Sequence, residues 1–210
     1  MWPSHPEVPY PFPPERRPPE RTEPALVPLV YESTGRGPIE RLYDRRTILL
    51  GGPLDAAAST HIAACLMSLD GRSADDVEVL INSPGGPVEE VFAVLDVIAL
   101  MRGPVTTTCF GQAFGTAAVV LAAGTGRRRA TPNAMVSLRC PEVTAIAGSA
   151  REIEHLATHA RIARQRLSVF VASVTRLPVE RIEHELDAGG PLAPPAALDL
   201  HLSDGIMDTA

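Results

Sequence analysis

Two glycine-bearing turns, three thiols and six histidines are where this 210-residue sequence could do chemistry. The first turn, Ser83-Pro84-Gly85-Gly86, follows the strand-like run Val77-Glu78-Val79-Leu80-Ile81 and precedes an amphipathic segment starting at Val88. A glycine pair there suits a tight turn ahead of a helix, where a Cβ is unwelcome. The second turn lies in Thr108-Cys109-Phe110-Gly111-Gln112-Ala113-Phe114-Gly115-Thr116-Ala117. His155 and His159 are four apart, with Glu152 three before the first, a spacing able to hold a metal on one helix face. The stripe Ile153, Leu156 and Ala160 should face the core and leave both histidines on a solvated or subunit-contact face, so no metal is expected. Of the others, His5 falls in an N-terminal tail, His61 on the first predicted helix, His184 before a Gly189-Gly190 loop and His201 near the C-terminus. Cys65, Cys109 and Cys140 are odd in number and widely spaced, with neither metal-ligand spacing nor a disulfide framework; reduced thiols in a cytoplasmic protein fit best.

Composition narrows the classes. Hydrophobic residues make up 45% of the chain and aromatics only 4%, so the core must be built from Ala, Val, Leu and Ile. A formal charge of -6 gives no reason to expect nucleic acid as a partner. No run approaches the ~18 apolar residues of a membrane span, and the N-terminus has no basic region leading into an apolar one, so neither a span nor a secretory signal is expected. The single basic run, Arg127-Arg128-Arg129, reads as a solvated turn leading into a strand.

The elements alternate. Eleven of the 21 prolines precede Ile39, so residues 1–30 read as an extended or disordered extension. Residues 31–210 read as one domain. Thr47 to Leu50 is a predicted strand, and Asp55 a predicted cap for a helix with the stripe Ile62, Cys65, Leu66 and Leu69. Val77 to Ile81 is the second strand. The next helix carries Val88, Val91, Phe92, Leu95, Ile98 and Ala99 on its apolar face. Val105 to Cys109 is a third strand, Gly115 to Ala123 a small-residue helix, and Ala130 to Leu138 further strand. A long helix over 151–174 should bury one stripe, Ile153, Leu156, Ala157, Ala160, Ala163, Leu167, Phe170, Val171 and Val174. A helix from Val179 to Leu186 and a last one near Pro194-Pro195 complete the chain. This alternation is the mark of right-handed crossovers around a mainly parallel sheet.

The two turns together resemble the oxyanion loop and nucleophile turn of the Clp protease proteolytic subunit family. Ser33-Thr34-Gly35-Arg36-Gly37, Leu49-Leu50-Gly51-Gly52-Pro53-Leu54-Asp55, Pro132-Asn133 and Ser203-Asp204-Gly205-Ile206 extend the resemblance in the right order and spacing. It implies an α/β, ClpP/crotonase-like fold of repeated ββα units. The helix over 151–174 would be the protruding handle through which two rings of seven subunits meet. The family's usual partners are other such subunits and a ring ATPase, without cofactor or metal.

The resemblance also implies a serine-peptidase site: an attacking hydroxyl, an imidazole base held by a carboxylate, and backbone amides for the oxyanion. Those amides fall at Gly86 and Thr116. The serine position falls at Gly115, which has no side chain, and the histidine position at Arg139, which has donors and no acceptor. The aspartate position falls at Gly189, with Asp187 two residues away as the other assignment. Thr116, Ser137, Cys140 and Ser83 are nearby hydroxyls and a thiol without an activating histidine, and read as packing or turn residues. Three readings follow: a non-catalytic structural or regulatory subunit, an endopeptidase with a relocated nucleophile, and a crotonase-like enzyme acting on an acyl-CoA thioester.

Overall fold

Strands that alternate with helices come back side by side, because a right-handed crossover returns each one parallel to the last. The computed structural model describes residues 37–140 and 149–207; the N-terminal extension lies outside the described residues. In chain order the elements are α1 (Pro38–Asp44), β1 (Thr47–Leu50), α2 (Ala56–Arg72), β2 (Val77–Ser83), α3 (Val88–Leu100), β3 (Val105–Phe114), α4 (Thr116–Ala122), β4 (Arg128–Ala130), β5 (Met135–Ser137), α5 (Ala150–Thr175), α6 (Val179–Ala188), α7 (Pro194–Asp199) and β6 (Gly205–Ile206). The sheet runs β1-β2-β3-β4-β6, with β5 added to β3, and every pairing is parallel.

β3 organises this sheet. Its first half lies between β2 (Val77 opposite Val105) and β4 (Thr107 opposite Arg128). At Gly111, with φ +77°, the strand bulges. A Cβ there would press on the Asn82 amide at 2.7 Å, and Gln112 N–H donates to Asn82 Oδ1 at 3.3 Å. Past the bulge β3 pairs with β5 instead, Gln112 opposite Met135. The bulge re-aims the strand end, so β3 reaches Phe114, past the expected end at Cys109. The further strand expected over 130–138 is β5, with β4 just before it, and between them Ala134 N–H donates to the Thr131 carbonyl at 3.0 Å.

Helices cover the apolar face. Asp55 accepts the Ala58 N–H at 2.8 Å and starts α2, which buries Ser59, Ile62, Leu66 and Leu69. α3 buries Val91, Val94, Leu95 and Ile98, while Ala99 of its expected stripe is exposed. All seven residues of α4 are buried, as a helix apolar on every side requires. Each full burial of a Val, Leu or Ile side chain is worth about 1.5–3 kcal/mol.

The opposite face of the sheet is polar. Glu78 on β2 accepts from Thr108 of β3 and Arg129 of β4, both at 2.8 Å, and the Thr106 hydroxyl donates to Asp76. The basic run is therefore no solvated turn: Arg128 and Arg129 lie in β4, held by cross-strand carboxylates, and only Arg127 is exposed. Arg46, with φ +60°, spends its guanidinium on the carbonyls of Leu69, Ser73, Asp75 and Asp76 at 2.8–3.1 Å, closing the C-terminal end of α2 onto β2.

α5 departs from expectation most. Only its second half packs: Ala163, Leu167, Val171 and Ala172 are buried, and Arg166 sits 4.2 Å over the Phe92 ring of α3. Residues 151–162 are exposed throughout, so Ile153, Leu156, Ala157 and Ala160 do not face this chain's core. Among the described residues no helix is long and apolar enough to cross a membrane.

Two outcomes are expected. Arg46→Lys cannot reproduce a planar fork on four carbonyls and should cost about 2 kcal/mol in denaturant unfolding. Asp204 grips Arg128, with Nε donating to Oδ2 at 3.0 Å, and hydrogen bonding from that guanidinium holds its carboxyl below the usual range. A lowered folded value means the contribution is complete above about pH 4 and fades as pH falls through the folded value. Because Asp204 is half-exposed, Asp204→Asn should cost about 0.5–1 kcal/mol at pH 7 and flatten the acid limb of stability against pH.

Candidate functional site

β3 passes into α4 through Gly115, whose φ of +53° and ψ of -122° make a sharp elbow. A strand-turn-helix elbow of this kind lifts a nucleophile clear of the sheet. Here the elbow residue is a glycine, which presents no side chain. An L-residue in that region carries about 1–3 kcal/mol of strain, which glycine avoids. Gly115 N–H donates to the Ser137 carbonyl at 2.8 Å, tying the elbow to β5.

The Gly-Gly turn is pressed against this elbow. The Ser83 hydroxyl, fully buried, donates to the Gly52 carbonyl and accepts the Gly85 N–H at 3.0 Å. Gly85 has φ +79°, and a Cβ on it would overlap the Phe114 carbonyl and come 3.0 Å from Thr116 N. A Cβ on Gly86 would overlap the Leu54 carbonyl. Gly86 N–H donates to Thr116 Oγ1 at 2.8 Å, and that same oxygen lies 3.3 Å from the Gly86 carbonyl. The two predicted amide donors are thus brought together.

Arg139 follows β5 with an exposed side chain, and its N–H donates to Ser137 Oγ at 3.3 Å. It therefore sits two residues beyond the carbonyl that anchors the elbow. A guanidinium there can bind an anion but cannot accept a proton. Leu192 pairs with Val136 through bonds of 2.7 and 2.9 Å, which brings the Gly189 loop to the same strand. Gly189 closes α6, its N–H donating to the Glu185 carbonyl at 3.0 Å. A Cβ at Gly189 would meet that carbonyl and approach Glu185 Oε2 at 2.8 Å. Glu185 is the carboxylate that the sequence reading missed: it is buried, ion-paired with Arg181 at 3.0 Å, and fills the ground beside Gly189. Its spacing from Arg181, four residues along one helix, was the available signal. Asp187 is exposed and pairs with Arg164 of α5.

The nearby hydroxyls and thiols are all engaged or buried. Ser137 is buried with its oxygen on the Arg139 N–H, Thr116 is fully buried on Gly86, and Ser83 is a turn residue. Burial pushes the Cys140 thiol up to about 11, against a smaller lowering by Arg164, and pushes Cys109 up to about 12. A thiol at about 11 is ionised to roughly one part in ten thousand at pH 7. The sequence reading also missed a contact on α2, where Cys65 Sγ lies 3.6 Å from His61 Nε2, four residues along one helix face. Both line a cavity of about 570 Å³ with Ile39, Tyr43, Ile48 and Leu49, sharing no residue with the Gly115 elbow. Burial raises the Cys65 thiol too, so this pair is not a ready thiolate. Glu152 is spent on a capping box, accepting Ser149 N–H at 2.8 Å, while His155 and His159 are exposed. His201 Nδ1 lies 2.8 Å from the Thr175 carbonyl. His184 is exposed, and His5 lies outside the described residues.

A parallel α/β sheet with a glycine turn abutting a strand-helix elbow, and a long helix left half unpacked, is the ClpP/crotonase-like fold. The chain matches the Clp protease family model over residues 32–210 and belongs to that family. It is 34% identical over 191 residues to ATP-dependent Clp protease proteolytic subunit 2 of Streptomyces coelicolor, covering 88% of both chains. It is 32% identical over 191 residues to ATP-dependent Clp protease proteolytic subunit 4 of Streptomyces avermitilis, covering 88% of this chain and 84% of that one.

Gly86→Ala tests the backbone approach. Overlap with an immobile carbonyl should cost about 1–3 kcal/mol, read as a lower urea midpoint at unchanged slope.

Proposed function

We propose that this chain is a non-catalytic Clp-family subunit with a structural or regulatory place in a ring-shaped Clp-type complex. The observation that carries the reading is the elbow with no side chain at Gly115. Arg139 at the base position, Gly189 at the carboxylate position and the buried thiols support it. A relocated nucleophile finds no favourable geometry, since Thr116, Ser137 and Cys140 lack an imidazole partner among the described contacts. In this reading residues 31–210 form the working domain and residues 1–30 a proline-rich extension.

The partners follow from what is exposed. Ile153 and Leu156 stand 38% and 51% exposed on one face of the free half of α5, with Ala157 and Ala160 beside them. Such a stripe on a helix suits a second α5 from another family subunit. Both relatives above are numbered subunits by name, which favours a mixed ring of this chain with others. A Clp ATPase would act on that assembly. The free thiols Cys65, Cys109 and Cys140 accord with a cytoplasmic setting.

Two measurements test the proposal. The full-length chain should neither cleave small fluorogenic peptides nor take up a fluorophosphonate probe, and Gly115→Ser alone should stay at least ~10⁴-fold below a subunit with a complete triad. Turnover or labelling by the unsubstituted chain overturns inactivity. Leu156→Glu should shift the mass of the purified assembly downward by light scattering; an unchanged mass, or a monomer before substitution, removes the ring from the proposal.

A further inference from the structure

We infer that Thr116 is a built-in plug of the anion-binding amides: its buried hydroxyl takes the Gly86 N–H that a peptidase of this fold would aim at an oxyanion. The inference rests on the reading above, in which the Gly86 and Thr116 amides stand at the family's oxyanion positions, and it concerns a loss separate from that of the nucleophile.

An amide N–H makes one strong hydrogen bond at a time. At Gly86 that bond goes to Thr116 Oγ1 at 2.8 Å, while the same hydroxyl lies 3.3 Å from the Gly86 carbonyl and can donate to it. One hydroxyl thus matches both polar groups of one residue. Thr116 has no exposed surface and Gly86 is half-buried, so the hydroxyl side of the contact is closed to water. Freeing the amide would leave the buried Thr116 oxygen without the donor it now accepts from. The arrangement is also rigid. Thr116 is the first residue of α4, its direction is set by the Gly115 elbow, and a β-branched side chain has little freedom at χ1. Gly86 cannot retreat, because Leu54 N–H holds the Gly85 carbonyl at 3.1 Å and the Leu54 carbonyl crowds the Gly86 α-carbon.

The consequence is chemical. Removing one oxyanion donor from a working hydrolase costs about 10²–10³ in rate. Here the donor is present in the chain and turned to an internal acceptor. Restoring a hydroxyl at position 115 and an imidazole at 139 would not restore the electrostatics of the hole. Valine at 116 keeps the shape and removes the acceptor; serine keeps the acceptor.

Amide hydrogen exchange on the full-length chain, read residue by residue by NMR, tests this. In Thr116→Val the Gly86 amide should exchange at least tenfold faster than in the unsubstituted chain, while Thr116→Ser keeps Gly86 protected. The Leu54 amide, bonded to Gly85, reports whether the turn itself stays folded. Equal protection of Gly86 in Thr116→Val and the unsubstituted chain overturns the plug. Should Thr116→Val also release Leu54, the unsubstituted chain decides: a Gly86 amide exchanging at the rate of an open peptide overturns the inference, and a protected one upholds it. Peptide turnover by the unsubstituted chain would overturn inactivity, whereas an unprotected Gly86 overturns the plug and leaves the missing side chain at 115 standing.

Discussion

Two glycine turns meet backbone to backbone, and the rest of the structure is arranged so that they can. Gly85 lies against the Phe114 carbonyl and the Thr116 nitrogen, too close for any Cβ on its side. That approach requires β2 and β3 to end at the same level, which the bulge opposite Asn82 provides by shifting the pairing to Ser83 with Ala113. It requires the elbow to be anchored from beyond, which the Gly115 to Ser137 bond does. It requires the far side of the turn to be walled, which Leu54 and Gly52 do. None of these demands involves catalysis. Packing geometry by itself demands these glycines, so they do not by themselves attest a hydrolytic site.

The positions that the proposed reading assigns to the missing groups differ in what holds them. A triad acts as a unit, and once its nucleophile is absent a second deletion costs almost nothing more. Arg139 brings no steric conflict, because its side chain is exposed. Gly189 is held by a different constraint, the Glu185 carbonyl and carboxylate that occupy its would-be Cβ space. Position 115 is the reverse case: glycine relieves a backbone that any other residue would strain.

Periodicity made most of the elements legible. Asp55 as a cap, the Ile62, Leu66, Leu69 face of α2 and the small-residue α4 rest on local rules that tertiary structure did not override. Where the reading failed, a long-range cause was at work. β3 runs on through Gly111 because two different partners, β4 and β5, share it; no local signal announces a change of neighbour. Arg128 and Arg129 looked like a solvated turn because their carboxylates, on Asp204 and Glu78, are far away in sequence. Pro38 belongs to a short helix, α1, hidden among the prolines. At the site, the glycine elbow at 115 and the exposed arginine at 139 lie where contiguous motifs put them in sequence, while the catalytic positions they are proposed to stand at rest on the resemblance. Glu185 beside Gly189, the Thr116 hydroxyl on Gly86 and the His61–Cys65 contact were not legible there, because each depends on a side-chain direction rather than a position.

The least expected feature is also the one that says where function remains. The apolar stripe of α5 is continuous in sequence, yet among the described residues its first half is exposed. A helix of that length without packing is marginal in water, because propensity and caps supply only part of its stability. The Ser149–Glu152 box satisfies the first turn, but a cap contributes about 1 kcal/mol. Ile153 and Leu156 keep 38% and 51% of their surface exposed in the isolated fold, and only a covering partner would gain the rest of their burial free energy. A capped helix with large aliphatic residues left exposed among the described residues is where the proposed assembly would add stability. In the proposed reading the cleft has given up its chemistry, and the helix is the part that binds another subunit.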